Sequence, residues 1–483
     1  MIEAIVKFSL KQRAVVLLLS LFLIAAGVWN AGQLPIDAVP DITNVQVQVN
    51  STAPSLGAEE VERQLTFPLE IALAGLPHLE ETRSISQFGL SQITLVFDEG
   101  TDLYSIRNLV AQRLEGAKEQ LPPGVKAEMG PVSTGLGEIY YARLDNPNLS
   151  LMERRSLMDW VVRPALLAVP GLAEVNTWGG EARQVQVQLD PQKLQSFGFS
   201  VPDVVKAVSE SNENAGGAAI SLGGEQQLVR SVGTLKGADD LKKIVLGAAE
   251  GVPVTLAQVA EITDAPMVRQ GAMTANGVGE QVYAINLLLI GENGRVVVER
   301  TKEKLLSIEK SLPPGSKLLG FLDRAELIER TLQTAVKNLI EGGVLVIVVL
   351  FLFLLQFRAG LIVSAVIPLA MLFAIIGMRV FHVSANLMSL GAIDFGLIVD
   401  GAVIIVENTV RRLVEARHHT GKDLTEPERQ DVIYRAASEV LKPSLAGVII
   451  IMAAYLPILT LVGVEGKMFR PMGLTVLFAL TGA

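Results

Sequence analysis

The chain contains no cysteine in its 483 residues, which excludes disulfides and thiolate metal sites and leaves the redox compartment unreadable from thiols. Histidine is almost as scarce. With only His78, His382, His418 and His419, a histidine-based zinc site would have to be assembled from scattered positions, and the adjacent His418 and His419 sit among charges, where solvated side chains are the rule. Positive charge is also short. A net charge of −9 offers no basic surface of the kind nucleic acids require. What the sequence has instead is hydrophobicity: 50% hydrophobic residues and a mean hydropathy of +0.41, beyond an ordinary soluble enzyme and in need of lipid.

The apolar residues are gathered into runs. Lys7, Lys11 and Arg13 precede Ala14–Trp29, and a positive flank before an apolar core predicts a first span with its N-terminus in the cytoplasm. A cleaved signal peptide is the competing reading; an uncleaved anchor is preferred because Trp29 suits a membrane interface and more spans follow. Further spans are expected at Leu339–Phe357, Leu361–Phe381, Asn386–Arg412 and Leu445–Val464. Between the last two lies a charged cytoplasmic segment, 411–442, with Arg411, Arg412, Arg417, Lys422, Arg429, Arg435 and Lys442. The thirteen residues Pro471–Ala483 begin a sixth crossing, short of the roughly twenty a span needs, so a longer protein is expected.

From Gly32 to about Arg330 no run is long enough to span, and the pattern is α+β. Pro35 and Pro40 favour extended backbone. Val45–Val49 (VQVQV) alternates as a half-buried strand does, Ala58–Ala74 reads as a helix opened by Glu59, Glu60 and Glu62, and two strands, a helix to Gln120 and a run to Met129 complete a split βαβ unit. A second, interrupted copy follows. Its first elements are Glu138–Leu144, Leu151–Ala168, Ala173–Trp178 and Gln184–Leu189; its closing ones are Gln281–Leu289, Arg295–Ser311 and Lys317–Leu322. The tetrapeptide LPPG recurs after a helix at Leu121 and Leu312. The expected organisation is a cytoplasmic N-terminus and first helix in 1–31, a first module in 32–135, a second in 136–192 with 277–330, an inserted subdomain in 193–276, and helices two to six in 331–483. The Gly-rich insertion, with GGAAISLGGEQQ, is long enough to be a small subdomain that contacts something outside the membrane.

The stretch with the most chemistry is Asn386–Arg412, apolar enough to cross a bilayer yet holding Asp394, Asp400 and Glu407. A carboxylate at the centre of a membrane helix costs roughly 2.5–3.5 kcal/mol, so such residues point to a proton or ion relay. On one continuous helix Asp400 and Glu407 fall within about 20° of each other over roughly 10 Å of rise, with Asp394 about 120° away. The bland alternative for Glu407, beside Asn408, Arg411 and Arg412, is an interfacial charge reaching the headgroups. Gly391, Ala392, Gly396, Gly401 and Ala402 would let another helix come close and bury the acids in a bundle interior. Met129, Met267 and Met273 are read as core filling before ligands.

Taken together, LPIDAVPDITNVQVQV (Leu34–Val49), RSISQFGLSQITLVFDEGTDLY (Arg83–Tyr104), GPVSTGLGEIY (Gly130–Tyr140) and IDFGLIVDGAVIIVEN (Ile393–Asn408) resemble the resistance-nodulation-division (RND) transporters, N-terminal half only, and within them the heavy-metal efflux branch. The resemblance implies a polytopic α-helical membrane protein with a large α+β periplasmic domain of ferredoxin-like porter modules and an inserted docking subdomain. It implies a secondary transporter, not an enzyme, without a resident cofactor, whose cargo is a divalent cation such as cobalt, zinc, cadmium or nickel exchanged for protons. Asp394, Asp400 and Glu407 match the family's acidic positions for proton coupling. The drug-efflux branch typically has two adjacent aspartates where this chain has Asp400 followed by Gly401, and copper and silver exporters usually lack the aspartate of the DFG triplet, here Asp394. The family works as a homotrimer in the inner membrane of Gram-negative bacteria, with a periplasmic adaptor and an outer-membrane channel. Other readings are a copper, silver or organic-solute pump of the same superfamily, or an intramembrane aspartyl protease, whose two carboxylates come from facing helices.

Overall fold

Valines 45, 47 and 49 alternate with glutamines, and the strand they make, β1 (Val45–Thr52), buries Val47, Val49 and Ser51 completely. It is flanked by β3 (Leu90–Phe97), antiparallel with Val45 opposite Phe97, and by β4 (Lys126–Met129), with Val49 opposite Met129. The edge strand β2 (Leu79–Gln87) joins β3 through Phe88 and Gly89, giving the order β2-β3-β1-β4. Gly89 has φ +71°, and a Cβ there would stand 3.1 Å from the Pro54 Cα; only glycine fits so tight a turn. Two helical stretches cover one face. Leu103–Lys118 is capped by Asp102, which accepts from Ser105 N at 2.8 Å, and buries Ile106, Val110, Leu114 and Ala117. The other runs from Ala58 to Leu73 through a π turn at Glu62–Thr66. The element order is β-α-β-β-α-β.

The second module repeats that plan. Strands β5 (Glu138–Asp145) and β6 (Leu172–Trp178) are separated by helical Leu151–Leu167, again with a π turn, Met158–Val162. Each π turn ends two residues before a proline, Pro68 or Pro164, whose missing N–H and bulky ring disturb the preceding turn in the same way. The helix Gly294–Glu309 and the turn after it match Leu103–Lys118, down to left-handed Gly124 (φ +85°) and Gly315 (φ +87°) in the two LPPG turns.

Between the halves of the second module the chain makes a body with its own core of Leu194, Val204, Leu241, Ile244, Val254, Leu256, Val259 and Ile262. Its strands are β7 (Arg183–Leu189), β8 (Ala219–Leu222), β9 (Glu225–Leu228), β10 (Val245–Ala249), β11 (Val252–Thr255) and β12 (Ala260–Pro266), paired 7 with 12, 8 with 9 and 10 with 11. Gln184–Leu189, expected with the second module, therefore belongs by pairing to the insertion: alternation marks a strand without naming its partner. The module closes with β13 (Val282–Leu288) and β14 (Lys317–Asp323), in the order β6-β13-β5-β14, the same as in the first.

The computed structural model describes residues 2–34, 40–214, 216, 219–228, 232–249, 251–269, 271–354, 356–391, 393–420 and 424–483. Pro35, expected in extended backbone, Gly217 and Ala218 of the Gly-rich stretch, Ala392 of the acidic stretch and Lys422 of the charged segment lie outside them. Among the described residues five helical segments are long and apolar enough to cross a membrane: Arg13–Ala31, Arg324–Leu354, Phe357–Val380, Leu387–His419 and Glu426–Leu459. A further helix, Gly463–Gly482, packs on Phe357–Val380 and Glu426–Leu459. Small residues set these approaches: a Cβ on Gly27 would lie 2.6 Å from Leu372, and one on Gly377 2.7 Å from Phe478. Leu17, Leu18, Phe22 and Trp29 are exposed on the first helix, as a lipid-facing side requires.

Three helix boundaries differ from the sequence reading. Arg324–Leu354 begins directly after β14, well before Leu339, and its Ala325 joins the core of the second module. Glu426–Leu459 runs unbroken through Pro443, so half of the charged 411–442 segment is the lower part of a span. The last helix starts at Gly463, not Pro471, because Glu465, Lys467 and Arg470 extend it beyond the apolar run.

Candidate functional site on the acidic helix

The acidic stretch is not one helix. A short helix, Leu387–Gly391, precedes the long one, Phe395–Thr420. The short one is opened by a reciprocal cap between buried Asn386 and Ser389: Ser389 N donates to Asn386 Oδ1 at 2.8 Å and Asn386 N to Ser389 Oγ at 2.9 Å. Asp394 stands just ahead of the long helix, where its Oδ1 accepts from Gly396 N at 2.8 Å and its backbone oxygen from Ile398 N. The expected placement of Asp394 on the helix, about 120° from the other acids, is therefore corrected: it caps the helix, as an aspartate near the positive end of a helix dipole does.

Apolar residues fix the rotation of the long helix. Phe395, Ile398 and Val399 are buried among Ile393, Leu350, Val363, Ile367 and Ala370, with Ala402, Val403 and Val406 continuing the stripe at helical spacing. A Cβ on Gly401 would meet Ser444 Oγ at 3.2 Å, which leaves room for Glu426–Leu459 to come close. Asp400 and Glu407 then point the other way. Both are exposed, as is Asp394, so the expectation that small residues bury the acids within this bundle is not met by the helices present here. Neither Asp400 nor Glu407 makes a hydrogen bond or ion pair with the described residues.

The charged end of the helix is tied down. Asn408, 6% exposed, donates through Nδ2 to Ala436 O at 2.8 Å and Glu439 Oε2 at 3.2 Å, and its Oδ1 accepts from Arg411 Nη2 at 2.8 Å. Arg412 grips both oxygens of Glu439, at 2.7 and 2.9 Å, and reaches Glu415 at 3.2 Å. Arg411 and Arg412 are thus engaged away from Glu407. Asn386, Ser389 and Glu439 carry no role in the sequence reading, and Asn408 enters it only as a neighbour of Glu407. The first two carry a readable signal, an Asn and Ser three apart before an apolar helix; the Asn408–Glu439 contact spans 31 positions and has none.

The arrangement suits proton handling. Two carboxylates on one face, on the side of a membrane helix that no described residue covers, can take and pass protons, while two acids on a single helix do not make the facing pair of an aspartyl protease. Among the described residues no group of three or more His, Asp or Glu side chains lies close enough to hold a metal ion. His78 sits 3.5 Å from Asp98 at an exposed position. Met129 packs on the first module's core, while Met267 is exposed. A separate cleft of about 400 Å³ lies where the second module meets the membrane helices, lined by Gln33, Asp41, Glu292, Arg324 and Arg379; none of the three acids lines it.

Comparison with known proteins agrees with this layout. The AcrB/AcrD/AcrF family model matches residues 5–483. The chain is similar to the cation efflux system protein CzcA of Alcaligenes sp., 48% identical over 100% of this chain and 46% of that protein. It is equally similar to the cobalt-zinc-cadmium resistance protein CzcA of Cupriavidus metallidurans, with the same identity and coverage. An X-ray structure of a heavy metal efflux pump superposes with a TM-score of 0.90 at 36% identity, over 99% of this chain and 47% of that one. The chain spans about half the length of the relatives it matches.

Proposed function

The chain belongs to the AcrB/AcrD/AcrF family of transporters, and from that premise we propose that it forms the first half of a pump that exports divalent transition-metal cations in exchange for protons. The observation that carries the reading is the pair Asp400 and Glu407, stacked on one face of a membrane helix and free of partners among the described residues. A carboxyl held in lipid favours its neutral form until a cation or water reaches it. It can therefore load a proton on one side and release it on the other. Each proton moving inward gains about 2.3 kcal/mol per 100 mV of membrane potential, which drives the cation outward.

Asp394 completes the acidic set, at the helix break. The similarity to cobalt-zinc-cadmium resistance proteins, together with the absence of cysteine, favours borderline divalent ions bound by oxygen and nitrogen over copper(I). In the same reading the N-terminus is cytoplasmic, the two α+β modules are periplasmic porter units, the insertion is part of a docking surface, and the pump sits in an inner membrane as a trimer joined to an adaptor and an outer-membrane channel.

The test is transport by the full-length protein in vesicles under an imposed pH gradient, with zinc, cobalt, cadmium, nickel and copper(I) compared. Gradient-dependent movement of one or more of the divalent ions is expected. Movement of copper(I) alone, or metal movement indifferent to the gradient, overturns the reading.

A further inference from the structure

On the reading that Glu407 exchanges protons, we propose that Asn408 is a positioning residue whose task is to keep Arg411 off Glu407. Glu407 and Arg411 lie four residues apart on one helix with the acid first, the spacing and polarity that helices favour for an ion pair. The pair is not formed. Arg411 Nη2 donates to Asn408 Oδ1 at 2.8 Å, and its Nε lies 4.0 Å from Glu415 Oε1, so the guanidinium leans toward the charged end of the helix.

Asn408 can hold it there because its amide has one usable orientation. With Nδ2 donating to Ala436 O and Glu439 Oε2, a flipped amide would set its oxygen against a carbonyl and a carboxylate, and its NH₂ against a guanidinium. The second neighbouring cation, Arg412, is taken by Glu439 and Glu415. On the packed helix Glu426–Leu459, Arg435 is paired with Asp431 at 2.9 Å, and Lys442 lies one turn beyond Glu439. Arg358 stands at the start of Phe357–Val380. The charges of Arg324–Leu354 (Arg324, Glu326, Glu329, Arg330, Lys337, Glu341) and Gly463–Gly482 (Glu465, Lys467, Arg470) lie away from the ends nearest Glu407. Arg411 is thus the cation placed by helical spacing to reach Glu407, and the buried Asn408 amide, with Glu415 beside it, holds it back. An acid with a cation on it keeps its carboxylate to lower pH; Asn408 keeps the Arg411 cation off Glu407.

The experiment uses the full-length protein in vesicles, zinc as the cargo, and the pH of the proton-loading side as the variable. Asn408→Leu releases Arg411, and the pH of half-maximal export moves toward acid by about one unit. Arg411→Gln alone leaves the profile where it is, and Asn408→Leu with Arg411→Gln brings it back. Asn408→Ala removes the same acceptor and gives the same shift should the leucine variant not assemble. A lowered rate with an unmoved profile in N408L and N408A makes Asn408 a packing residue and overturns the proposal, as does a double variant that keeps the acid shift. Absence of gradient-driven zinc export in the unmodified protein strikes the transporter reading itself, and the proposal with it.

Discussion

In the second α+β module two partly buried charge pairs are closed: Arg155 meets Asp159 at 2.7 Å and Lys302 meets Asp323 at 2.6 Å, around a core that includes Leu144, Met158, Val162 and Val175 at 0% exposure. In the membrane helices the pattern is reversed. The acids with the greatest desolvation cost in lipid, Asp400 and Glu407, have no partner among the described residues, while the arginines next to them are tied to Asn408, Glu415 and Glu439. The module closes these charge pairs internally; the helix holds its arginines away from its acids, as the proposed proton exchange requires. The two modules differ from one another at a hairpin. The two-residue turn at Phe88 and Gly89 in the first is replaced in the second by residues 179–281, and the repeated sheet order is untouched by an insertion placed at a hairpin.

The contrast can be broken from the module side. Leu144→Ala opens a cavity in a fully buried site of β5 and is expected to cost about 3 kcal/mol, read as a lower melting temperature, with the pH profile of export by the remaining folded protein unchanged. A smaller loss follows at the neck of the insertion. Gly179 has φ +73°, and a Cβ there would stand 2.2 Å from Gln281 O; Gly179→Ala should cost about 2 kcal/mol and speed proteolysis within 179–281 before the rest of the module is cut.

Next comes the joint between the two regions. Lys467, on the last helix, donates to Thr43 O at 2.8 Å and lies 3.5 Å from Glu99 in the first module. Lys467→Met with Glu99→Gln, in a double-mutant cycle, should give a coupling of about 0.5 kcal/mol; a coupling of zero would make the joint incidental.

The smallest effect belongs to Tyr141. Burial, and then its hydrogen bond to the Glu138 carboxylate, push the phenol up to about 12. Because the folded state holds that proton more tightly than the unfolded chain, the contribution to stability is intact below pH 10 and is lost as pH rises from about 10 toward 12. Absorbance titration should show Tyr141 ionising late, alongside Tyr140, which burial also pushes up, and Glu138→Gln should bring Tyr141 earlier.

Much of this was readable from residues alone, and the reason is locality. VQVQV showed the β1 strand and its buried face; LPPG marked both module ends because proline and glycine fix backbone angles within four residues; the apolar runs gave the spans. What stayed hidden depended on distant partners. β7 alternates as clearly as β1, yet its partner β12 begins 71 positions away. Helix ends at Arg324, Glu426 and Gly463 moved because charged residues continue a helix past the membrane without any apolar signal. The break before Asp394 has no proline to announce it, although an aspartate followed by the glycine of DFG is a cap pattern. The tether of Arg411 by Asn408 depends on Ala436 and Glu439 across the neighbouring helix.

In the proposed exchange Asp400 carries protons against metal. Asp400→Asn in the full-length protein, reconstituted in vesicles with an imposed pH gradient, tests it most directly when zinc and proton fluxes are recorded together. The expected result is a folded protein with unchanged melting temperature, no gradient-driven zinc flux and no zinc-dependent proton flux. Zinc and proton fluxes at the level of the unmodified protein would contradict it.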